Sequence, residues 1–100
     1  MANQDQSQQV IFVGAGCTVN FINDKYPATV IEIVGHKKRR VKVQVDSTKV
    51  EAGVAIFSPN PKGEVYDFTI RRNGRWYVRG SGPGIYLTFG TRCLYWAPEI

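Results

Sequence analysis

A chain of 100 residues, 43% hydrophobic and 21% charged, has the material for one core and no more. That length excludes the large enzyme barrels, and the apolar share excludes wholesale disorder. Thirteen Lys and Arg against eight Asp and Glu leave a formal charge of +5, which permits an anionic partner without requiring one.

From the N-terminus, residues 1–9 (MANQDQSQQ) hold four Gln and no Lys or Arg. They read as a flexible polar tail ahead of a single β domain over 10–100. They have no basic segment followed by an apolar run, so they do not read as a signal peptide. No stretch approaches the roughly 20 apolar residues of a membrane span. The expectation is a cytoplasmic protein that does not enter a membrane. Beyond the tail, Val, Ile, Phe, Tyr and Thr come in short runs broken by Gly, Pro and Asn, which is an all-β composition. The runs predict strands over Val10–Val13, Cys17–Ile22, Ala28–Val34, Arg40–Asp46, Val54–Ser58, Glu64–Arg71, Arg75–Arg79, Ile85–Phe89 and Thr91–Tyr95. Turns fall at Asn23-Asp24-Lys25, at the stiff corner Pro59–Gly63 and at the loose corner Gly80–Gly84.

Two hairpins have a register that can be argued. At Arg72-Asn73-Gly74 a two-residue Asn-Gly turn would mix charge with core on both faces. A three-residue loop with Gly74 in the left-handed conformation instead pairs Ile70 with Trp76 and Phe68 with Val78. The other face then pairs Thr69 with Tyr77 and Asp67 with Arg79. A one-residue slip would move every side chain to the wrong face, so burial selects the three-residue loop. Around Gly35–Arg39 the same test pairs Ile33 with Val41 and Ile31 with Val43. Glu32 then meets Lys42 and Val30 meets Gln44 on the opposite face.

From Gly14 to Asp46 the chain reads GAGCTVNFINDKYPATVIEIVGHKKRRVKVQVD. Tyr26-Pro27-Ala28-Thr29-Val30, a basic turn and a Val-x-Val-x-Val strand closing on Asp46 resemble the opening of a Tudor or Src-homology-three-like small barrel. The resemblance implies an all-β fold: a small barrel or strongly bent antiparallel sheet, extended by a second hairpin. Tudor domains that read methylated side chains surround them with about four aromatics. Here Phe21 and Tyr26 match, while the turn Ser47-Thr48-Lys49 carries no aromatic. The whole chain also resembles small uncharacterised proteins of phages and mobile elements, which implies no activity.

Catalytic and metal motifs are missing from the sequence. His36 stands alone in a loop, and Cys17 and Cys93 are too far apart in sequence to form a metal motif. First and last strands that lie side by side would bring the two cysteines near each other, buried and reduced. Gly14-Ala15-Gly16 precedes a strand rather than opening a helix, so it is not a phosphate loop. The concentrated chemistry is cationic. Lys37, Lys38, Arg39 and Arg40 form one cluster, with Lys42 beyond it. Arg71, Arg72, Arg75 and Arg79 form a second, with Tyr77 on the outer face of that hairpin. Exposed Arg beside an aromatic on a β surface can hold phosphates and stack bases.

The sequence therefore points to a non-enzymatic binding module without a cofactor. Lys37, Lys38, Arg39 and Arg40 would contact DNA or RNA phosphates, and Arg71, Arg75 and Tyr77 would add contacts to sugar or base. The competing expectation is a phage- or plasmid-type accessory protein that docks on a host protein through the C-terminal aromatics Tyr86, Tyr95 and Trp96.

Overall fold

The computed structural model describes residues 11–35, 37, 39–80 and 84–94. The expected tail over 1–9 lies outside them, as do His36 and Lys38. The regular structure is all β: β1 (Gly16–Asn20), β2 (Lys25–Val34), β3 (Arg40–Val45), β4 (Ser47–Glu51), β5 (Val54–Ser58), β6 (Val65–Ile70), β7 (Trp76–Val78) and β8 (Tyr86–Phe89). Six strands close into an antiparallel barrel in the order β1-β2-β3-β6-β7-β8, while β4 and β5 form a separate two-stranded sheet. This architecture is compatible with a small Src-homology-three-like or Tudor-like barrel. Among the described residues, no helix is long and apolar enough to cross a membrane.

Period-two alternation supplies the core. Cys17 and Val19 of β1, Val41 and Val43 of β3, Phe68 of β6, Trp76 of β7 and Leu87 of β8 point inward and are buried together. The β6–β7 register is Ile70↔Trp76, Thr69↔Tyr77 and Phe68↔Val78. Arg71 N–H donates to Arg75 O and Gly74, at φ +83°, closes the three-residue loop, as the face argument requires. Beyond it, Arg79 N–H donates to Asp67 O and the two side chains approach to 3.9 Å.

The β2–β3 hairpin keeps Ile33↔Val41 and Glu32↔Lys42, then shifts register at Ile31, so that Val30 rather than Ile31 faces Val43. Ile31 is exposed and Val30 is fully buried. The expected Ile31–Val43 and Val30–Gln44 pairs are therefore replaced. A β-bulge lets the strand bend around the barrel and turns Val30 inward. Pro27 lies inside β2, where its missing N–H takes nothing from the β1–β2 ladder. Its carbonyl accepts from Asp46 N–H, so its nitrogen faces the β3 side, past the last β2–β3 pair at Ala28↔Val45.

Two expected strands do not form among the described residues. Residues 11–13 run into a turn in which Ala15 N–H donates to Phe12 O and Gly14 takes φ +98°. Residues 91–94 are irregular and lie across the barrel wall: Thr18 Oγ1 donates to Thr91 O at 2.6 Å. One unexpected strand appears, β4, where Ser47-Thr48-Lys49 read as a turn.

The irregular C-terminal segment is clasped to the barrel by a buried carboxylate. Asp46 has no exposed side-chain surface; it accepts from Thr29 Oγ1 at 2.6 Å and from Arg92 Nε at 2.8 Å. Arg92 Nη2 also donates to Thr29 Oγ1 at 3.1 Å. The guanidinium rests on Gly16, where any Cβ would collide with it. Barrel closure sets β1 beside β8, with Cys17 opposite Phe89. Both cysteines are free thiols; Cys17 is buried and Cys93 is half-buried. Burial, and then the Asp46 charge, push the Cys17 thiol up to about 12, with Arg92 opposing.

Arg92→Ala leaves the buried Asp46 carboxylate without its cation. The expected cost in urea unfolding is about 3 kcal/mol, at the low end for a broken buried pair because Arg92 is partly exposed. A loss below about 1 kcal/mol, the scale of a surface pair, contradicts the clasp.

Candidate nucleic-acid interface

The strand order decides where the two basic clusters go. β3 pairs with β6 through Arg40↔Thr69, Val41↔Phe68, Lys42↔Asp67 and Val43↔Tyr66. Beyond the ladder, Ile70 N–H donates to Arg39 O at 3.2 Å. The turn that enters β3 and the turn that leaves β6 therefore lie side by side at one end of the barrel. Lys37 and Arg39 from the first, and Arg71, Arg72 and Arg75 from the second, are all exposed there. No Asp or Glu occurs between Ile33 and Val41 or between Phe68 and Val78. Asp24, in the β1–β2 turn, and Glu64, whose carbonyl accepts from Val45 N–H, belong to the opposite end.

Arg40, Arg79 and Lys42 are paired with carboxylates. Arg40 grips Asp67 with Nε at 3.0 and 3.2 Å from the two carboxylate oxygens and Nη2 at 3.0 Å from one of them. That hydrogen-bonded pairing raises the Arg40 pKa, and it makes the side chain part of the barrel wall rather than a free phosphate contact. Arg79 shares Asp67, and Lys42 lies 3.8 Å from Glu32. Lys38 is outside the described residues.

Two tyrosines carry the arginines of the second turn. The Arg71 guanidinium lies 5.1 Å from the centre of the Tyr77 ring, and that of Arg75 lies 5.5 Å from the centre of Tyr86. Tyr77 and Tyr86 are themselves paired across β7 and β8. Asn73 ties the loop together: its Nδ2 donates to Tyr77 Oη at 3.0 Å, and its Oδ1 accepts from Arg75 N–H at 2.9 Å. Tyr77 points outward as expected, but it is only 8% exposed. Arg71 and Asn73 cover it, so it is a platform for an arginine and not an open surface for a base. Alternation predicts the face of a side chain and is silent about what lies over it.

Aromatics also gather at the opposite end. Phe21 meets Tyr26 edge-on at 5.6 Å and Tyr66 edge-on at 5.9 Å between ring centres. Tyr66, separated by 40 residues from Tyr26, is the member that the sequence pattern missed. Phe21 lies between the other two rings and makes an edge contact with each. Tyr26 Oη lies 3.5 Å from Asp24, and Tyr66 Oη donates to Glu64 at 3.0 Å. Burial first, and then Glu64, raise the Tyr66 pKa. Of the C-terminal aromatics, Tyr86 is half-buried, while Tyr95 and Trp96 lie outside the described residues.

No protein-family model, curated protein or solved structure matches the chain. The surface chemistry stands on its geometry alone.

Tyr77→Ala separates a covered platform from an exposed one. The covered ring predicts a loss of about 3 kcal/mol in urea unfolding. An exposed aromatic would change stability by no more than about 0.5 kcal/mol, and that result contradicts the cover.

Proposed function

We propose that the protein is a non-enzymatic module that holds the phosphate backbone of DNA or RNA on its basic end. The observation that carries this reading is the hydrogen bond from Ile70 N–H to Arg39 O, which joins two separate cationic turns into one surface. Lys37, Arg39, Arg71, Arg72 and Arg75 supply the charge. Arg71 and Arg75, seated on tyrosine faces, present planar donor forks with part of their rotamer freedom already spent. Such contacts position a backbone and carry no sequence information, so the binding is broad. Tyr77 serves it by holding Arg71. A methylated cation, the ligand that a Tudor likeness suggests, is the weaker reading, because the segment Ser47-Thr48-Lys49 supplies no aromatic and Phe21 is in edge contact with both Tyr26 and Tyr66.

Fluorescence anisotropy with single- and double-stranded oligonucleotides across a salt series tests the reading. About four neutralised phosphates on a duplex predict a slope of log affinity against log salt of roughly −3 to −4. Replacing Lys37 and Arg39 together by Ala flattens that slope by up to about 2 and leaves the fold intact, because both side chains are exposed in a turn. No binding at low salt overturns the proposal.

A further inference from the structure

The β4–β5 hairpin is an arm inserted between the paired strands β3 and β6, and it packs little of itself on the barrel. Every β4 residue is exposed, and in β5 only Phe57 is half-buried. Val54 is 61% exposed and Ile56 44%. The strands join through the two-residue turn Ala52-Gly53, with φ +52° and +80°, flanked by the pair Glu51↔Val54. A two-residue hairpin hydrogen-bonds its flanking pair and every second pair after it. Val54, Ile56 and Ser58 therefore direct their main-chain groups at β4. Ala55 and Phe57 direct theirs outward, along an edge that no strand takes among the described residues.

The two edges of the arm differ in charge. β4 carries Lys49 and Glu51, ion-paired at 2.8 Å, and charged side chains blunt an edge against pairing. β5 (VAIFS) carries no charge at all, so two copies of a +5 chain can meet there without placing like charges face to face. The strand is also self-complementary about Ile56. Antiparallel pairing on a two-fold axis sets Ile56 against Ile56, small Ala55 against large Phe57, and Val54 against Ser58. The resulting order β4-β5-β5-β4 ends on two charged edges, so it stops at two copies instead of growing.

We propose that β5 is a self-association edge whose occupant is β5 of a second copy of this chain. The contact is a single short strand pair, so the dimer is weak and depends on concentration. Screening of the net charge strengthens it as salt rises, opposite to phosphate binding.

Sedimentation equilibrium of the full chain, from about ten micromolar to one millimolar, tests the proposal on the concentration scale that so small an interface implies. The expected result is a shift from 11.2 kDa toward twice that mass, larger at high salt. Ile56→Lys places two like charges on the axis and weakens the dimer at least tenfold. Thr48→Lys, on β4, leaves the dissociation constant within about twofold. Unchanged far-ultraviolet circular dichroism shows that both variants keep the barrel. A monomer at every concentration overturns the proposal, as does a dimer that Ile56→Lys leaves intact or an assembly that grows past two copies.

Discussion

The pairing of β3 with β6 is the constraint on which the rest of the molecule depends. It joins two hairpins separated by the arm and the Pro59–Gly63 corner, and closing such a loop costs entropy that local contacts do not repay. The return comes from both faces. Inside, Val41 meets Phe68 and Val43 meets Tyr66, and the buried members of these pairs lie at the centre of the core. Outside, Asp67 receives Arg40 in a forked pair and Arg79 at longer range. This one ladder sets the two basic turns side by side. It also leaves the intervening hairpin with no strand of the barrel to pair with, so the basic end and the arm are consequences of the same pairing.

A second constraint, the Asp46–Thr29–Arg92 clasp, finishes the barrel. The first half of the chain, where the small-barrel resemblance lies, contributes the carboxylate and the hydroxyl; the last tenth contributes the cation. Gly16 leaves room for the guanidinium because it has no side chain to displace. Buried charge of this kind is tolerated only when its partners are all present, so residues 91–94 are part of the fold although they form no strand.

The sequence was most legible where charge and hydrophobicity agreed. In the β6–β7 hairpin, only one register segregates Phe68, Ile70, Trp76 and Val78 from Asp67 and Arg79, and the structure adopts it. In β2, Val30 and Ile31 are adjacent and both apolar, so alternation cannot say which one faces inward, and the bulge that decides it leaves no mark in the pattern. β4 was illegible for a different reason: a strand exposed on both faces has no burial pattern to read. The basic residues themselves were legible as two clusters. Their union was not, because it rests on a non-local ladder, and neither was the capture of Arg40 by Asp67 or the covering of Tyr77 by Arg71.

Lys37, Arg39, Arg71, Arg72 and Arg75 are exposed together at one end of the barrel, and that shared surface is what the phosphate proposal rests on. The most direct measurement is a backbone amide chemical-shift map of the isotope-labelled protein, titrated with a short oligonucleotide at low salt. The account predicts that amides of both turns, 35–39 and 71–75, shift together with one saturation curve, while those of the opposite end, at Asp24 and Glu64, stay in place. Shifts confined to one turn, or centred on the opposite end, would contradict it.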